Sequence, residues 1–138
     1  MSYCTQQSVQ DELGGINRLT EALDDRGSGQ FDTALLQRLM DAASSAVDGF
    51  LSGRYVVPLA PVPALASEAA LIFTLEKIYN RRKQGADENN PYEERASEMR
   101  SRLKRISDRK ESLDAKERPA FSPGAVIQSP SAMGGSSL

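Results

Sequence analysis

The sequence predicts an all-α protein: a small helical bundle of about three long and two short helices, with an extended proline-rich strap and an extended C-terminal arm. Three observations predict it. Apolar residues recur at three- and four-residue spacing through three segments of helical length. Glycines and capping side chains stand at the borders of those segments. The prolines lie at the borders or outside, at 58, 61, 63 and 91 and then beyond residue 115, where they bar helix rather than interrupt one.

The elements follow in order. Thr5 is placed to cap a short helix from Gln6 to Leu13, which Gly14-Gly15 stops. A second runs from Ile16 to Leu23, with Ile16, Leu19 and Leu23 at helical spacing. Asp24 to Asp32, "DDRGSGQFD", has the outline of a calcium loop, with Asp24, Ser28, Gly29 and Asp32 at the spacing of its early positions. Arg26 stands where an oxygen ligand is needed, and Leu35 where a bidentate glutamate belongs, so the reading is a glycine-rich turn with Asp32 capping the next helix. That helix, Thr33 to Leu51, carries Leu35, Leu36, Leu39, Met40, Ala43, Val47, Phe50 and Leu51 on its apolar side and is about 30 Å long. Gly53 is the expected left-handed stop.

Arg54 to Val62 then form the strap. Tyr55, Val56, Val57, Leu59 and Val62 are too apolar for an exposed loop. They lie either on the chain's own helices or on a neighbouring subunit. A helix starting at Pro63 or Ala64 carries "EAALIFTLEKIY", apolar on most sides as suits a central position, and ends in the cations Arg81-Arg82-Lys83 before Gly85. The last helix is expected from Pro91 to about Leu113, capped by Asn90, with Glu93 and Glu94 in its first turn. Its apolar stripe is thin (Tyr92, Ala96, Met99, Leu103, Ile106) and its remaining surface densely charged. Two regions result: a helical domain over residues 1–114 and a Ser/Pro/Gly-rich arm over 115–138. The arm's composition does not fold alone. Its 24 residues span roughly 80 Å when extended, and its order is expected from assembly.

Composition narrows the function. The chain has 138 residues, a formal charge of −2 and 39% hydrophobic residues. The slight acidity argues against a general nucleic-acid binder. The low apolar content implies that some segments are unstructured or that another chain completes part of the core. Histidine is absent and Cys4 is the single cysteine, so one chain holds no disulfide, no histidine metal site and no Ser-His-Asp triad. Cys4 reads as a small apolar residue. No apolar run reaches membrane-spanning length, and "MSYCTQQ" does not read as a signal peptide, so a cytoplasmic site of synthesis is expected. No phosphate-binding loop or paired acid–base constellation is evident, and the expectation is no enzymatic activity, no cofactor and no metal.

Two groups of residues remain as candidate sites. Arg54 and Tyr55 are residue types favoured as interface anchors. With Val56, Val57, Leu59 and Val62 of the strap and Phe121, Val126, Ile127 and Met133 of the arm they form the candidate contact set for a subunit or partner. Arg100, Arg102, Lys104 and Arg105 on the last helix form the candidate DNA-facing set. Their mixture with acids suits a solvated face or weak, sliding contacts.

"YCTQQSVQDELG" at Tyr3 to Gly14, the degenerate acidic glycine loop and "VDGFLSGRYVVPL" at Val47 to Leu59 resemble the Mu-like phage head–tail connector (adaptor, head-completion) family. That family opens with Tyr-Xaa-Thr. It later carries an Ile/Val-Asp-Gly-Tyr/Phe-Leu…Arg-Tyr-Xaa-Xaa-Pro-Leu signature, and the likeness spans about residues 3–113. The resemblance implies a homo-oligomeric ring of twelve copies beneath the portal protein at the head–tail junction of the virion, assembled in the host cytoplasm. Such a ring extends the DNA channel, touches passing DNA non-specifically and offers a platform to tail-completion (stopper) proteins. It implies that the arm clasps the portal or an adjacent subunit. No catalytic residue comes with it. The alternative is a nucleic-acid-binding helical module using Arg81 to Lys83 and the last helix.

Overall fold

The computed structural model describes residues 2–82, 90–113 and 115–118. Among them are five helices: α1 (Gln6–Leu13), α2 (Ile16–Leu23), α3 (Thr33–Leu51), α4 (Ala64–Arg82) and α5 (Glu93–Ser107). The fold is all-α.

Local chemistry sets most borders. Thr5 Oγ1 accepts from the Ser8 N–H, and the Ser8 hydroxyl accepts in return from the Thr5 N–H, a reciprocal cap at the start of α1. Gly14 at φ 103° ends α1, its N–H and that of Gly15 donating to Asp11 and Gln10 carbonyls. Asp32 caps α3 by accepting from the Leu35 N–H at 3.1 Å.

Three borders differ from expectation. Gly53 is not left-handed: Ser52 ends α3 in right-handed geometry, and the Arg54 and Tyr55 N–H groups both donate to the Leu51 carbonyl. α5 starts at Glu93, not Pro91, because Asn90 folds back on itself. Its Oδ1 accepts from the Tyr92 N–H at 2.9 Å and its carbonyl from the Glu93 N–H at 3.0 Å. α5 also stops at Ser107, well before Leu113. Arg109 takes φ 66° and, with Lys110, donates to the Ile106 and Arg105 carbonyls, a Schellman stop built on a residue other than glycine. Lys83 and Gly85, expected to end α4, lie outside the described residues.

α4 is the central helix and touches each of the other four. Ala66, Ala69, Ala70, Ile72, Phe73, Leu75 and Ile78 are buried along it, and the alanines let neighbours approach closely. α3 lies antiparallel to it: the strap joins the end of α3 to the start of α4, and Arg81 at the other end pairs at 2.6 Å with Asp25, just ahead of α3. α5 returns beside α4, and its C-terminus meets the end of α3. No helix among the described residues is long and apolar enough to cross a membrane.

Candidate functional site

The residues that carry the sequence signatures converge at two hydrogen-bonded nodes near one end of the α3–α4 pair. At the first, the Tyr3 hydroxyl donates to an Asp48 carboxylate oxygen and accepts from the Leu59 N–H at 2.8 Å. The Tyr3 N–H donates to Ser44 Oγ at 2.8 Å, and Ser44 in turn donates to the Met40 carbonyl at 3.0 Å. Burial and the Asp48 carboxylate push the Tyr3 phenol up to about 12, so it is a proton donor throughout the neutral range. Ser2 donates to Asp41 at 2.7 Å, and the Ser2 hydroxyl and Gln37 amide hold that carboxyl below the usual range. The N-terminal segment, the middle of α3 and the strap are thus fastened at one point.

Arg54 makes the second node. Its Nη1 donates to the carbonyls of Ile106 and Glu111, each at 2.7 Å, and its Nη2 pairs with Glu117 Oε2 at 3.3 Å. Its guanidinium lies 5.0 Å from the Tyr55 ring centroid, near enough for a cation–π contact. Nε is buried with no protein partner. The Tyr55 hydroxyl accepts from the Leu113 N–H at 2.9 Å. The Val56 N–H donates to the Lys116 carbonyl and the Arg118 N–H to the Arg54 carbonyl, at 2.9 and 2.8 Å. Arg118 reaches back to the Ser52 carbonyl at 2.9 Å. Arg54 does neutralise helix-terminal carbonyls, but those of α5 rather than of α3 just before it. Residues 115–118, on the arm side of the expected boundary, are bonded to the strap.

The strap therefore lies on its own chain. Arg54 at 8%, Tyr55 at 0% and Leu59 at 1% exposure are buried within the subunit. There they serve its interior. Val57 and Val62 pack on the core from partly buried positions, and Val56 is the one exposed member among the described residues of the set, at 41%. The Val57-Pro58 and Ala60-Pro61 bonds are cis. Phe121, Val126, Ile127 and Met133 lie outside the described residues.

The candidate DNA-facing cations are exposed and ion-paired. Arg100 pairs with Glu76 and lies over the Phe73 ring; Arg102 and Arg105 share Glu111, at 2.6 and 3.5 Å; Lys104 meets Asp108 at 2.9 Å. The Arg102 and Arg105 guanidiniums hold the Glu111 carboxyl below its ordinary range. In the acidic glycine loop, Asp24 accepts from the backbone N–H groups of Ser28 and Gly29 at 2.9 and 2.7 Å, which lowers its pKa. Asp25 is paired with Arg81, and Asp32 caps α3. No group of three or more carboxylate, thiol or imidazole side chains is gathered for a metal among the described residues. Cys4 is buried 3.6 Å from the Thr74 hydroxyl, and burial pushes its thiol up.

One apolar groove escaped sequence reasoning. Leu13, Ala22, Ile78 and Tyr79 line it between α1, α2 and α4, with Arg18 and Glu21 beside them. It lies toward the C-terminal end of α4, away from the two nodes.

A protein-family model described as Bacteriophage Mu, Gp36 matches residues 3–128. The chain belongs to this family. No curated protein matches it. The Bacteriophage Mu Gp36 match begins at Tyr3, the residue that fastens the first node. It takes in both nodes and the groove, and continues past the last described residue to Gln128. The chain is thus a Mu-like phage protein with an all-α fold. The pairing of Tyr3 with Asp48 had no local sign in the sequence, since 45 positions separate them.

Proposed function

We propose that the chain is a structural, non-enzymatic subunit of the phage head–tail connector. In this reading twelve copies form a ring beneath the portal, extend the DNA channel and present a platform to tail-completion proteins. The observation that carries it is membership of the Bacteriophage Mu Gp36 family across Tyr3 to Gln128, with the signature residues Tyr3, Asp48, Arg54, Tyr55 and Leu59 all serving internal bracing. Here the most distinctive residues are turned inward to make one stiff building block, as a ring under load requires.

Arg100, Arg102, Lys104 and Arg105 would line the channel in this reading. Three carboxylates, Glu76, Asp108 and Glu111, answer these four cations and leave a nearly balanced face, which suits passing DNA that must not stick. The alternative, a nucleic-acid-binding module, needs unpaired cations and predicts steeply salt-dependent binding to duplex DNA.

The test is to image particles carrying a tagged copy by electron microscopy and to co-sediment the purified chain with purified portal. Density for a ring between portal and tail, with portal-dependent oligomerisation, is expected. Normal tailed particles from a phage deleted for the chain would overturn the reading.

A further inference from the structure

We propose that the apolar groove between α1, α2 and α4 receives Val126 and Ile127 of the same chain, so that the C-terminal segment is stowed on its own subunit. This docking belongs to the free chain and holds whether or not that chain later enters a ring.

The groove suits a short apolar peptide better than a small molecule. Its volume of ≈ 230 Å³ falls below the roughly 300–1,000 Å³ of typical small-ligand sites. Leu13, Ala22, Ile78 and Tyr79 supply apolar walls, with Tyr79 36% exposed. Arg18 and Glu21 flank them. An apolar centre with a polar rim is the ordinary anatomy of a protein interface.

The occupant follows from the sequence and from where the described chain ends. Every charged side chain precedes Pro119; the twenty residues after Arg118 carry none, yet include Phe121, Val126, Ile127 and Met133. Val126-Ile127 is the one place among these twenty where two large apolar side chains adjoin. The family match runs to residue 128, taking in this pair and stopping short of Met133. An apolar pair in an uncharged segment gains from any apolar receptor it can reach.

Reach selects both the pair and the chain. The Arg118 N–H is bonded to the Arg54 carbonyl beside the end of α3, level with the start of α4. The groove lies at Ile78 and Tyr79, about 20 Å away along α4 at 1.5 Å per residue. From Arg118, Phe121 reaches about 10 Å, Val126 about 26 Å and Ile127 about 30 Å, at 3.3 Å per residue. Phe121 falls short, and the next apolar pair arrives. A tether of eight residues has a root-mean-square span of about 16 Å, close to the gap. A match of tether to gap is where the local concentration of a tethered group is highest, in the millimolar range. A second copy supplies the same pair only at its bulk concentration, so below that range the groove fills from its own chain. Stowing also withholds the pair from other copies, as suits a chain that oligomerises only when portal is present.

The test compares full-length chains. A labelled peptide of residues 119–128 is titrated into the unaltered chain and into Val126→Asp/Ile127→Asp, whose own segment is disabled. The disabled chain should bind the peptide about tenfold or more tightly than the unaltered one, because no tethered segment competes there. Adding Tyr79→Glu or, separately, Ala22→Glu to the disabled chain should weaken the peptide about tenfold or more. Circular dichroism checks that each variant folds. In sedimentation, the unaltered chain should stay monomeric through the micromolar range. No peptide binding to the disabled chain, or binding that both groove substitutions leave unchanged, overturns the groove assignment. Equal binding to the unaltered and disabled chains shows that the segment does not occupy its own groove. Self-association of the unaltered chain that Val126→Asp/Ile127→Asp abolishes gives the groove to a second copy. Either of these last two results overturns the same-chain contact. The connector reading is decided separately, by whether the chain is found between portal and tail.

Discussion

Tyr3 shows how much one hydroxyl can hold. It supplies the donor for Asp48 and the acceptor for the Leu59 N–H. Tyr3→Phe keeps the ring and removes both, leaving a carboxylate and an N–H without their partner. The expected cost is about 1–3 kcal/mol, read from chemical denaturation. The same residue sets an alkaline limit. Its pKa is raised from 10.0 to about 12 on folding, so its contribution is complete below pH 10 and is lost as pH climbs from 10 through 12. The Tyr92 phenol is also raised, by burial and the nearby Glu12 charge. The difference between the wild-type and Tyr3→Phe stability curves therefore reports Tyr3, and it should shrink across that window. Arg54 is the second such residue. Arg54→Ala strands two carbonyls near the end of α5 and should cost about 2–4 kcal/mol in thermal or chemical unfolding. Arg54→Lys should recover only part of this, because one ammonium cannot reproduce a fork serving Ile106, Glu111 and Glu117 together.

At the scale of elements, α1 and α2 begin and end where local chemistry says they should, and α3 and α4 begin there. Thr5, Gly14 and Asp32 act on groups within a few residues, and such signals are written in the chain itself. α5 departs from this because its borders depend on distant groups. Asn90 donates to the Glu76 carbonyl and the Asn80 side chain, which fixes its backbone short of a helical start. The C-terminal stop sits where Arg54, 52 positions earlier, holds the Ile106 carbonyl. The strap's prolines foretold a non-helical segment, but not that Tyr55 and Leu59 turn inward, since apolar residues suit a core and an interface equally. The α5 stop carries its own prediction. Arg109 holds a left-handed φ of 66° that costs a residue with a side chain about 1–2 kcal/mol. Its 3.5 Å pair with Glu117 is exposed on both sides and is worth about 0–1 kcal/mol. Arg109→Gly should therefore raise stability by up to about 1 kcal/mol, seen as a higher denaturation midpoint with an unchanged slope.

At the scale of the molecule, the arrangement of charge matters more than its total. Residues 93–111 carry seven cations and five acids, and folding adds carboxylates from elsewhere: Glu76 to Arg100, and Glu12 to Arg95 at 3.6 Å. Sequence alone shows a basic helix; the fold makes it a nearly balanced surface. Glu111 is the key to that balance, because among the described residues it is the carboxylate that answers both Arg102 and Arg105. Glu111→Gln removes its charge while keeping a side chain of the same shape, and the backbone carbonyl of residue 111 still accepts from Arg54. Two guanidiniums are then free to meet phosphate. Duplex DNA binding, weak for the wild type at low salt, should strengthen in the variant. The plot of log affinity against log salt should steepen by up to about 2, near one unit for each additional phosphate neutralised. If Glu111→Gln binds DNA no better and with the same slope, these cations do not face nucleic acid, and the channel-lining role proposed for the last helix fails.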